Sequence, residues 1–155
     1  LKIEELFSMS DGKARNGRSR KVSRYTLEPS TSALTTLREF LRATLKSYPD
    51  IEPYIQDIVS ATHEAAKNAV VHNPDSSGPV DVRCEVRRDS VVVEVSDRGK
   101  GFKPPDKPAL LPDPEALAGR GIFLMHALMD DVETKSDRRG TRVRMVKRLE
   151  PALQV

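Results

Sequence analysis

"VVVEVSDRGKGF", residues 91–102, carries a strand into an abrupt stop. Val91, Val93 and Val95 recur at every second residue, the period of a strand with a buried face. Just upstream, Val80, Val82, Cys84 and Val86 alternate with Asp81, Arg83, Glu85 and Arg87, and the tight link "RRDS" joins the two runs into a hairpin. Asp97 ends the strand with an acceptor suited to an amino group. Gly99 and Gly101 follow at i and i+2, opening backbone conformations closed to other residues and letting a ligand come close. A glycine-rich turn without a ligand has the same spelling, so D-x-G-x-G alone leaves both readings open.

Upstream of the hairpin, "NPDSSGP" is a dense turn signal. Before it, Ile55, Ile58, Val59, Thr62, Ala66 and Ala69 mark the core side of a helix over residues 51–72. Glu64, Asn68 and His72 stand in that helix at four-residue spacing, stepping around by ~40° each time, so they form one row away from the core side. On the helix alone the row reads as a plain polar surface sooner than as a site. Leu34, Leu37, Leu41 and Leu45 give an earlier amphipathic helix over residues 32–46, and "KVSRYTL" ahead of it has strand character.

Downstream, residues 103–118 hold five of the eleven prolines and no periodicity, which predicts a long, stiff loop. Gly119-Arg120-Gly121 then precedes a helix over residues 121–129, apolar nearly all round and so expected to be buried. Free amides at a helix start, with Arg120 beside them, suit an anion; a plain capping turn is the alternative. "DVETK" and "TRVRMVKRL", joined by "SDRRG", close the chain as a second hairpin, with Gly140-Thr141 opening its last strand. The order β-α-α-β-β-loop-α-β-β predicts an α+β two-layer sandwich with a mostly antiparallel sheet and helices on one face.

The chain of 155 residues suits one domain, with 32% charged and 37% apolar residues. No apolar run reaches membrane-spanning length, and Cys84, the single cysteine, excludes an internal disulfide. With no secretion pattern, the expected compartment is the cytoplasm. The net charge of +3 comes from the leader: residues 1–24 hold seven Lys/Arg against three acids, leaving the rest at −1. Residues 1–19 read as a flexible basic segment, 20–150 as the folded domain and 151–155 as a tail. No direct nucleic-acid or membrane role is assigned.

Four pieces thus occur in order: the E-x-x-x-N-x-x-x-H helix, D-x-G-x-G, a long loop, then G-x-G with a helix and a final G-T. In that order they resemble the GHKL, or Bergerat-fold, histidine-kinase-like ATPases over residues 20–149. The wording "HEAAKNAVVHN", "VEVSDRGKGF", "GIFLMHALMDDVE" and "GTRVRMVKRL" is most similar to the anti-sigma-factor serine/threonine kinases of bacterial partner switching. A sensor histidine kinase would carry a phosphoacceptor histidine on a dimerisation helix upstream, and none of the three histidines lies there.

The resemblance implies a cofactor set of ATP or ADP with Mg²⁺. It implies that Asn68 holds the metal and that Glu64 acts as general base on an attacking hydroxyl. Asp97 would accept from the adenine amino group, Gly99 and Gly101 would admit the ring, and Thr141 would support it. Gly119, Arg120 and Gly121 would neutralise phosphate, and His72 would be a structural or phosphate-side residue. Residues 103–118 would be the lid. The implied partners are a STAS-domain anti-anti-sigma factor, a sigma factor and a second copy of the chain. Two alternatives stay open: a nucleotide-binding switch module without phosphotransfer, and a catalytic fragment of a larger sensor or regulatory chain.

Overall fold

The computed structural model describes residues 2–6, 19–71, 78–98 and 117–151. Among the described residues six strands form one sheet: β1 (Lys2–Leu6), β2 (Ser19–Leu27), β3 (Val80–Arg87), β4 (Ser90–Asp97), β5 (Asp131–Asp137) and β6 (Gly140–Arg148). They lie in the order β1-β2-β3-β4-β6-β5, every neighbouring pair antiparallel. The strand β1 falls within the leader that the sequence reads as flexible. It pairs with β2 from Lys2↔Thr26 to Leu6↔Val22, satisfying an edge whose N–H and C=O groups would otherwise face outward.

Among the described residues three α-helices cover one face. The first, α1 (Thr31–Leu45), starts at Ser30, whose Oγ accepts from the Ala33 N–H at 3.3 Å, and buries the four leucines of its apolar stripe. The second, α2 (Ile55–Val71), is preceded by a 3₁₀ turn over Pro49–Tyr54. The sequence reading runs one helix from residue 51. Pro53 explains the difference, since it lacks an N–H and its ring crowds an α-helical carbonyl. The third, α3 (Leu117–Leu128), begins four residues before the expected start at 121.

The core fills the space between sheet and helices. Tyr25, Leu27, Val82, Val93 and Met145 face Leu37, Leu41, Ile58, Val59 and Ala66, all essentially inaccessible. The Tyr25 hydroxyl reaches Thr44 Oγ1 at 2.9 Å, so the ring is buried without orphaning its polar end. Cys84 belongs to the same layer, and burial pushes its thiol up to about 12, leaving it protonated and inert. α3 departs from the expected buried helix. It buries Gly121 and Met125 toward α2 but exposes His126 and Ala127, because it lies on α2 and β5 at the margin of the layer.

One contact set fixes which way the helices run. Lys147 near the end of β6 donates to Asp57 Oδ2 at 3.1 Å and to the Leu128 carbonyl at 2.6 Å. The Glu150 N–H donates to the Tyr54 hydroxyl at 3.1 Å. The start of α2 and the end of α3 therefore share the sheet end where β6 finishes. Asn68, eleven residues past Asp57, lies ~16 Å further along α2. That carries it toward the opposite end, where β6 begins and β4 ends.

No helix among the described residues is long and apolar enough to cross a membrane.

Candidate nucleotide site

At the helix layer the site is built on one close approach. A Cβ placed on Gly121 would lie 3.1 Å from Glu64 Oε2, 3.1 Å from Asn68 Nδ2 and 3.3 Å from Asn68 Oδ1. The α2 row and the glycine that opens the body of α3 are thus packed directly on each other. Glu64 keeps 19% of its side chain exposed, and Lys67 Nζ stands 3.5 Å from the same Oε2. A cation three residues along the helix is a neighbour by helical geometry. Next to Glu64 in the chain, burial holds the His63 imidazole below the usual histidine range, Arg38 pushes the same way, and Glu64 opposes. The ring is neutral at pH 7 and adds no charge beside the carboxylate.

At the sheet layer, Asp97 of β4 is paired with Thr141 of β6, and Thr141 with Ser136 of β5. Register partners point to the same face. Val95↔Val143, two residues along, is in the core, so this row also faces the helices. Thr141 is buried, and its Oγ1 lies 2.9 Å from Ser136 Oγ. Gly140 adopts φ +146°, a conformation that L side chains rarely take, and a Cβ there would fall 1.9 Å from the Asp97 carbonyl oxygen. The β5–β6 turn can close against the end of β4 only with glycine at this position. A cleft of about 390 Å³ opens at this corner of the sheet, lined by Asp97, Ser136, Gly140 and Thr141 and also by Ser96, Lys135 and Arg142, whose register row faces away from the helices.

The structure therefore gathers the sequence-derived residues into two groups: Glu64, Asn68 and Gly121, and Asp97 with Thr141. Gly119 and Arg120 do not precede α3 but lie in its first turn. Gly119 keeps a first-turn amide with no intrahelical partner, while Gly121 lies past that turn and contributes by lacking a side chain. His72, Gly99, Gly101 and loop residues 103–116 lie outside the described residues. Sequence reading missed Lys67 and Ser136. The i,i+3 spacing from Glu64 signals the first; counting back across the "DRRG" turn from Thr141 signals the second.

The donors suit magnesium. The Asn68 amide oxygen is a hard ligand, and this ion commonly takes few protein groups and completes its shell from phosphates and water. Among the described residues, no three His, Cys, Asp or Glu side chains gather as a metal cage.

Residues 27–147 match the family model of the histidine kinase-like ATPase domain. Serine-protein kinase RsbW of Bacillus velezensis is 36% identical over 113 residues, covering 66% of this chain and 68% of the relative. Anti-sigma F factor of Clostridium botulinum is 32% identical over 104 residues, covering 61% of this chain and 71% of the relative. A solved Mycobacterium tuberculosis structure of RsbU and RsbW domains superposes with a TM-score of 0.64 at 26% identity. That likeness covers 86% of this chain but spans only 34% of the solved one.

Proposed function

The chain belongs to the histidine kinase-like ATPase family, on the match over residues 27–147, and from that premise we propose that it is an ATP-dependent serine/threonine protein kinase and anti-sigma factor. It phosphorylates a STAS-domain anti-anti-sigma factor and sequesters a sigma factor, acting in the cytoplasm as a homodimer. The relatives named serine-protein kinase and anti-sigma F factor support this reading. The observation that carries it is the seating of Gly121 on Glu64 and Asn68, which gives the packed helix pair one carboxylate and one amide side by side.

In this reading Asn68 presents its amide oxygen to Mg²⁺, and the bound ion supplies neutralisation of phosphate charge. Asp97 accepts from the adenine amino group at the sheet end. Glu64 takes the proton of the substrate serine as its oxygen bonds to the γ-phosphorus. The bond from that phosphorus to the β,γ-bridging oxygen breaks, and ADP leaves with the electron pair. Positioning and charge stabilisation do the rest, as is general for phosphoryl transfer.

Incubation with ATP, Mg²⁺ and the cognate STAS protein should yield phosphoserine or phosphothreonine on that protein. Glu64→Gln should lower the transfer rate by roughly 10²–10⁴-fold while leaving ATP affinity within about threefold. Normal nucleotide binding with no transfer to any STAS substrate would contradict the kinase assignment and leave a nucleotide-gated binding module. The RsbU-linked arrangement of the solved relative favours assaying the full reading frame beside this domain.

A further inference from the structure

We propose that the sheet face turned away from the helices docks an extended acidic peptide segment of a protein partner, gripped between Arg24 and Arg142. This goes beyond the nucleotide reading and does not depend on it.

Two like-charged pairs stand directly opposite each other across neighbouring strands of that face: Arg24 with Arg83, and Lys135 with Arg142. Like charges in register weaken a sheet. In each pair one member is relieved by an acid two residues away on its own strand. Arg83 meets Glu85 at 2.8 Å, and Lys135 meets Glu133 at 3.2 Å. Arg24 and Arg142, both exposed, have no acidic partner among the described residues. Positions that break a pairing rule with no compensating contact serve something other than the fold.

The two arginines bracket one groove. A cleft of about 420 Å³ on this face is lined by Arg24, Thr26, Asp81, Glu94, Ser96 and Arg142 among others, and it meets the corner cleft at Ser96 and Arg142, which line both. Its acids are already engaged. Asp81 accepts from Thr26 Oγ1 at 3.0 Å, and Glu94 lies 3.8 Å from Arg144 Nε. Two guanidiniums are left for a ligand, and their planar forks suit carboxylates. Arg24 on β2 and Arg142 on β6 are three strand spacings apart and offset by two residues along the strands, ~16 Å in all. Acidic side chains four residues apart point to one side of an extended chain and stand ~13 Å apart, a span the long arginine stems can meet. A continuous run of phosphates fits less well, because Asp81 and Glu94 lie on β3 and β4 between the two cations.

The test is fluorescence anisotropy on the full chain with labelled Gly/Ser peptides that carry two glutamates. Glutamates four residues apart should bind about tenfold tighter than the same two placed side by side. Arg24→Gln and Arg142→Gln should each weaken that binding about tenfold. Arg88→Gln makes the same charge change on an exposed residue of the β3–β4 turn and should leave it as it was. Both groove variants should resist urea at least as well as the parent, since each removes a like-charge pair. Should one fail to fold, the preference of the unmutated protein between the two peptides decides. Equal affinity for the two peptides, equal losses in all the variants, or no binding at millimolar peptide overturns the proposal. Tighter binding of a single-stranded oligonucleotide or a phosphatidylglycerol vesicle, lost in the same variants, overturns it in favour of phosphates. A changed sedimenting mass in Arg24→Gln or Arg142→Gln, with peptide binding unaltered, overturns it in favour of a contact between copies.

Discussion

Gly121 makes the site depend on one missing methyl group. Its neighbours at 3.1 Å are the carboxylate and amide assigned to proton transfer and metal binding, and 3.0–3.4 Å is tighter than nearly all real Cβ contacts. Gly121→Ala must therefore displace Glu64 or Asn68 by a few tenths of an ångström, while alanine favours the helix by about 1 kcal/mol over glycine. The expected outcome is a protein at least as stable to urea as the parent, with phosphotransfer reduced by roughly 10²-fold, the scale of a small misplacement at a reacting centre. Unchanged transfer would show that the approach of α3 to α2 has no catalytic meaning. At this scale the sequence was readable in part. Asp97, Thr141, Glu64 and Asn68 stand out by residue type and spacing, whereas Ser136 and Lys67 acquire meaning only when strand register and helix neighbours are known.

Among the elements, α2 carries the most duties: its apolar side is core and its polar row is site. Its direction over the sheet depends on Lys147, a side chain 14% exposed that joins Asp57 in the first turn of α2 to the last carbonyl of α3. A lysine at a helix C-terminus also opposes the negative end of the dipole. Lys147→Met keeps the aliphatic stem and removes the charge, and should cost about 1–2 kcal/mol in urea-denaturation stability. A loss near zero would mean that packing alone aligns the two helices. Most elements were legible because period-2 and helical patterns do not depend on tertiary context, as in β3, β4 and α1. The exceptions have physical causes. Pro53 converts the start of the second helix to 3₁₀, β1 forms as a partner for the β2 edge, and α3 looks buried by composition yet lies on a margin.

Across the whole molecule, the two ends of the layered fold are unlike. Lys147 and Glu150 tie one end shut, so the α2 row, Gly121, Asp97 and Thr141 are all directed to the other. The cations of residues 1–24 are not all outside the folded layers, since Arg20, Lys21 and Arg24 lie on β2 of the sheet. In the function proposed above, partner exchange would depend on whether the nucleotide site at the open end is filled. Equilibrium dialysis of labelled ATP against the folded chain in Mg²⁺ tests this most directly. Saturation at one ATP per chain is expected, displaced by ADP and not by an equal concentration of GTP. No retained ATP or ADP at millimolar concentration would contradict it.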